Sequence, residues 1–170
     1  MDDRAIVERQ LGRAPRAFGR VVVRCPYGVP AVTEQLPYDG RGEPFPTTYY
    51  LTCRHLVAAI ARIEAAGGVE RWSRAVAAND ELATSLSLAT EEQRRMRHEL
   101  AGVARGIDGG ASLESGIGGS QTPNQLKCLH AHAAYALARP GYVLGERILA
   151  EVPELWPAAG CCSESLLVDN

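Results

Sequence analysis

Apolar residues recur along this chain with two different periods, and the change falls near residue 53. Before it, short β-branched runs alternate with turn residues. "GRVVVRC" (19–25) reads as a strand, "PYG" as a turn, and "VPAVTEQL" (29–36) as a returning strand that Pro30 makes broken or edge-placed. "PYDGRGEPFP" (37–46) is loop by composition, and "TTYYLTC" (47–53) reads as a third strand. A short helix over 3–11, with Ile6, Val7 and Leu11 on its apolar side, precedes them.

Beyond residue 53 the apolar positions follow helical spacing. Leu56, Ile60 and Ile63 share one face, and Gly67-Gly68 closes that segment. Val69, Trp72 and Val76 predict a second helix to about Ala78. Residues 80–106 are helical, either unbroken or restarted by a Thr90–Gln93 cap. "GIDGGASLESGIGGS" (106–120) reads as a loop. Thr122 as N-cap, Pro123 at the first helical position and Gln125 completing a capping box predict a helix over 122–138. A last helix falls within 141–152, and the tail from Pro153 is irregular. Strands first and helices afterwards predict one α+β domain over 1–170, with a small antiparallel N-terminal sheet of about three strands packed against C-terminal helices. The strands dominate 1–53, the helices 54–155, and 156–170 forms the tail.

Composition is that of an ordinary globular chain, 46% hydrophobic and 22% charged, at a length that supports a core without staples. A net charge of −2 gives no strong nucleic-acid signal. Arginine is concentrated early (Arg4, Arg9, Arg13, Arg16, Arg20, Arg24), which reads either as a solvated face or as a contact surface for an anionic partner. "MDDRAIVERQ" is not a signal peptide, and no apolar run approaches a membrane span, so the expected location is cytoplasmic. Five cysteines (Cys25, Cys53, Cys128, Cys161, Cys162) are then expected as thiols, metal ligands or reactive groups, not disulfides.

The segment "SQTPNQLKCLHAHAAYALA" (120–138) carries the richest chemistry. On a helix from 122, Leu126, Leu129, Ala133 and Leu137 form the core stripe with His130 among them. Cys128, His132 and Tyr135 then lie opposite, and Cys128 and His132 have the i, i+4 spacing of paired ligands, whereas Cys128 and His130 splay apart. A buried hydrogen-bonded His130 and a merely packed Cys128 are the competing readings. Cys25 and Cys53, each at a strand end, and the Cys161-Cys162 pair are the available further donors, a set suited to zinc or an iron–sulfur cluster. No CxxC knuckle supports it.

Two other constellations compete. Cys53 at a strand-to-helix junction, with Thr52 as N-cap and Arg54 and His55 beside it, has the setting of a thiolate nucleophile with His55 as base. It reads equally as a core thiol. The glycine-rich run before residue 122 offers amides to an anion, with Ser120 and Lys127, the only lysine, as binding residues. It is neither a P-loop nor a Rossmann fingerprint.

"QLGRAPR" (10–16), "RCPYGVPAV" (24–32), "PFPTTYYLTC" (44–53), "RIEAAGGV" (62–69) and "KCLHAHAAYALA" (127–138), in order over nearly the whole chain, resemble a bacterial, mostly actinobacterial family, domain of unknown function 501. The resemblance implies recurring polar residues at Cys25, Cys53, Lys127, Cys128 and His130. Departures from it are Arg54, where the family often has proline, and Tyr135, where it often has histidine. The family's gene neighbourhood implies a link to envelope growth or phosphate metabolism.

The sequence names no reaction. The leading expectation is a cytoplasmic protein whose site, built from Cys25, Cys53, Cys128 and His130, binds zinc or an iron–sulfur cluster and acts on or senses a small anionic ligand. A regulatory or interaction module with structural cysteines is the alternative, and a Cys53–His55 enzyme ranks third.

Overall fold

A computed structural model describes residues 2–167. The first helix, α1 (Asp3–Leu11), is capped by the Asp2 carboxylate on the Ala5 N–H and ends at Gly12 in the left-handed region. Strands β1 (Phe18–Arg24), β2 (Pro30–Gln35) and β3 (Tyr49–Leu51) form an antiparallel sheet in the order β1-β2-β3. β2 is therefore the central strand, not a broken or edge strand. Pro30 is tolerated because it is the first residue, where no ladder N–H is required. All six residues of β2 are buried. In β1, by contrast, every residue is at least partly exposed.

The polypeptide passes from β3 straight into α2 (Arg54–Ala65), with Cys53 rather than Thr52 at the N-cap. Then follow α3 (Gly68–Ala78) and α4 (Asp80–Ala101). Asn79 caps α4 through Leu82 N–H, and α4 is unbroken, so Thr90 and Gln93 start no new helix. Gln93 is instead buried, its amide donating to the Ser115 carbonyl. Its neighbour one turn on, Arg97, is also wholly buried. Arg97 donates to the Phe45 and Ser112 carbonyls, tying the loop before β3 to the segment after α4.

The C-terminal part consists of α5 (Leu129–Ala138), α6 (Val143–Leu149) and α7 (Glu164–Leu167). α5 starts at Leu129, so the expected helix from Thr122 does not form. Asn124 adopts a left-handed φ of 60°, and residues 122–125 make only a turn. The apolar stripe is displaced with it. α5 is buried on almost every side, through Leu129 and Ala131–Ala136, because it lies between β3 and α6. Among the described residues no helix is long and apolar enough to cross a membrane. The architecture is α+β, a three-stranded N-terminal sheet with mostly C-terminal helices.

Candidate metal centre

Starting α5 at Leu129 changes what Cys128 and His130 can do together. Cys128 is the N-cap residue, with extended backbone (φ −153°, ψ 118°), so the helical splay between positions i and i+2 does not apply to it. Its side chain offers no cap, and that role falls to Glu64 at the end of α2, whose Oε1 accepts the Leu129 N–H at 2.7 Å. The carboxylate is thereby fixed at the start of α5. The same Oε1 lies 3.2 Å from His130 Nδ1.

Ligand atoms of Glu64, Cys128 and His130 lie within 4.8 Å of one another, and all three residues are half-buried. The His130 ring is oriented by its other nitrogen, 3.1 Å from the Val57 carbonyl oxygen. A carbonyl only accepts, so Nε2 carries a proton and Nδ1 is the nitrogen turned toward Glu64 and Cys128. A backbone carbonyl holding the far nitrogen of a histidine is the usual support of a metal-ligating imidazole. With no metal, the Cys128 sulfur first, against the opposing effect of burial, and then the Glu64 charge hold the imidazole as a cation up to a pKa of about 9.

His132 takes the position expected of His130. It is 1% exposed, Nδ1 meets the Tyr142 hydroxyl at 2.8 Å, and burial depresses its pKa to about 3. It is a neutral core imidazole, and its i, i+4 spacing from Cys128 brings no shared face. Tyr135 is likewise buried, its hydroxyl donating to Glu92.

The expected donors Cys25 and Cys53 do not complete the group. Cys53 Sγ instead lies 3.7 Å from Cys162 Sγ, and Cys25 faces Cys161. An iron–sulfur cluster held by converging thiolates does not fit a Glu–Cys–His group. Zinc fits it, since sulfur, imidazole nitrogen and carboxylate oxygen are all zinc ligands.

Cys53 lacks the activation expected of a nucleophile. Burial, reinforced by Cys162, pushes its thiol up to about 12. His55 Nε2 is 2.6 Å from the Glu154 carbonyl oxygen, so its ring is engaged with the tail. Ser120 and Lys127 also separate. The Ser120 hydroxyl donates within its own loop, to the Gln125 or Thr122 carbonyl, and lines a cavity of about 230 Å³ with Arg94, Thr90 and His132. Lys127 is exposed and does not line that cavity.

Several N-terminal arginines form intramolecular ion pairs: Arg16 with Asp39 and Glu43, Arg20 with Glu34, Arg24 with Asp3. Their charge is largely answered within the fold. Glu64 carries no local signature in the sequence, because 65 residues separate it from Leu129.

Fold and site together define a small α+β domain with a Glu–Cys–His group where two helix ends meet. Residues 21–150 match the family described as protein of unknown function DUF501, and the chain belongs to that family. No curated protein and no solved structure matches it.

Proposed function

We propose that this protein is a zinc-binding protein of the cytoplasm whose metal is held by Glu64 Oε, Cys128 Sγ and His130 Nδ1, with a small anionic ligand at the remaining position. The observation that carries this reading is the convergence of three ligand atoms of different type within 4.8 Å, with the imidazole already oriented by Val57. Oxygen and nitrogen ligands at about 2.0–2.1 Å in a tetrahedron lie roughly 3.3 Å apart. The 3.2 Å between Glu64 and His130 is compatible with that spacing without movement of either element.

Three protein ligands leave one tetrahedral position open, which is the arrangement of zinc sites that bind water or substrate, not of purely structural ones. One thiolate and one carboxylate balance the charge of the ion. An anion at the open position would meet Lys127, next in the chain and exposed, as its nearest cation in sequence. Five free thiols suit a reducing compartment.

The test is titration of the metal-stripped chain with zinc alone. One equivalent should bind, and Cys128→Ser, His130→Ala and Glu64→Gln should each weaken it by about tenfold or more. Cys162→Ser should leave it unchanged. Zinc binding that survives the first three substitutions, or that depends on Cys162, would overturn the reading.

A further inference from the structure

Four of the five cysteines lie outside the proposed metal centre, and they meet as two facing pairs where the tail crosses the start of α2. We propose that Cys162 and Cys53 form a reversible oxidation site, in which the Cys162 thiolate takes up the oxygen of a hydroperoxide and Cys53 closes the disulfide. The latch so formed fastens the C-terminal segment to α2.

The geometry assigns different roles to the two sulfurs. Cys162 is half-exposed, and the backbone N–H groups of His55 and Arg54, in the first turn of α2, are directed at its sulfur. Unpaired amides at a helix start favour a thiolate over a thiol. Burial alone would raise the Cys162 pKa, yet those amides, the Ser163 hydroxyl and the Cys53 thiol hold it below the ordinary cysteine value. Cys53 is 3% exposed and stays protonated, so it is shielded from the oxidant but adjacent to the sulfur that reacts. Their 3.7 Å separation must shorten to about 2.05 Å in a disulfide.

The chemistry balances in two steps. The Cys162 thiolate attacks the peroxide, the O–O bond breaks, an S–O bond forms, and the departing oxygen leaves as water after protonation. Sulfur loses two electrons and becomes a sulfenic acid. The Cys53 sulfur then attacks that sulfenic sulfur, forming S–S and breaking S–O, and the hydroxide leaves as water with the thiol's proton. Two thiols and one hydrogen peroxide give one disulfide and two waters, and a dithiol reductant restores the starting state.

What the bond would change is the hold on the tail. In the reduced chain the tail is anchored by polar contacts: Tyr27 hydroxyl to the Pro157 carbonyl, His55 to the Glu154 carbonyl, Arg9 to the Leu166 carbonyl, and the Gln10 amide to Ser163 Oγ at 3.4 Å. Cys53 lies within the residues matched by the family and Cys162 lies beyond them.

The reduced full-length chain, exposed to hydrogen peroxide and digested without reduction, should yield a Cys53–Cys162 linked peptide that dithiothreitol removes. The Cys53→Ser chain should instead accumulate a sulfenic acid at Cys162 that dimedone traps. Without peroxide, iodoacetamide near neutral pH should label Cys162 ahead of Cys53. If peroxide first links Cys25 to Cys161, oxidises Cys128 first, or produces only intermolecular disulfides, the proposal fails. The linked peptide in the unmodified chain decides the matter even if the Cys53→Ser chain does not fold.

Discussion

Arg97 illustrates how much one side chain can hold in this protein. Its guanidinium is fully buried and serves the carbonyls of Phe45 and Ser112, which lie on either side of it in sequence, 52 and 15 residues away. Replacing it with alanine removes both donors and leaves those oxygens dry, which should cost about 3 kcal/mol in urea unfolding. Close by, Asp108 accepts hydrogen bonds from the Tyr38 hydroxyl and the Gly110 and Ser112 N–H groups. Partial burial alone would raise its pKa, but the Ser112 side chain and N–H, with Gly110 and Tyr38, bring it to about 2, against an ordinary 3.8. A depressed carboxylate stabilises the fold above its unfolded pKa and loses that contribution as pH falls through the folded one. The thermal midpoint should therefore drop between about pH 4 and pH 2, and Asp108→Asn should flatten that part of the curve. Neither residue carries a sequence signal, since an arginine in a long polar helix and an aspartate among glycines both read as surface.

At the scale of elements, the close contact between α5 and α6 is set by small residues. A Cβ on Gly145 would lie 2.6 Å from the His132 carbonyl oxygen and 2.7 Å from Ala136 Cβ. Gly145→Ala must push α6 away from α5, and should destabilise the chain by about 1–3 kcal/mol in the same unfolding experiment. The start of α5 shows why an element can be legible and its boundary not. Thr122, Pro123 and Gln125 form a sound local capping signal, yet the helix begins at Leu129. Two distant groups decide otherwise: Ser73 Oγ accepts the Leu126 N–H, and Glu64 accepts the Leu129 N–H. That shift buries His132, leaves His130 24% exposed by side chain, and makes Cys128 a cap residue. The three helices from 54 to 101 lie close to where their apolar spacing places them, although α2 is capped at Cys53 and α4 runs unbroken past Thr90 and stops at Ala101.

For the whole molecule, the α+β class was legible because two different apolar periods divide the chain near residue 53. The sheet order was not, since Pro30 argued locally against the central strand that burial between two neighbours makes of it. The cysteines were visible as chemistry but not as groups. Which sulfur faces which depends on where the tail returns and on how α2 crosses α5. Sequence spacing pairs Cys128 with His132, and the family resemblance points to Cys128 and His130, but only tertiary packing joins Cys128 and His130 to Glu64, and Cys162 to Cys53.

The most direct measurement is zinc affinity of the metal-stripped chain as a function of pH, with His130→Ala beside it. A metal ligand must shed its proton, so an imidazole protonated up to about pH 9 should make zinc bind more tightly as pH rises from about 6.5 to 9. Stoichiometric binding with that slope, largely lost in His130→Ala, is the predicted result. Binding that is absent, or that is indifferent to His130, would contradict the metal centre.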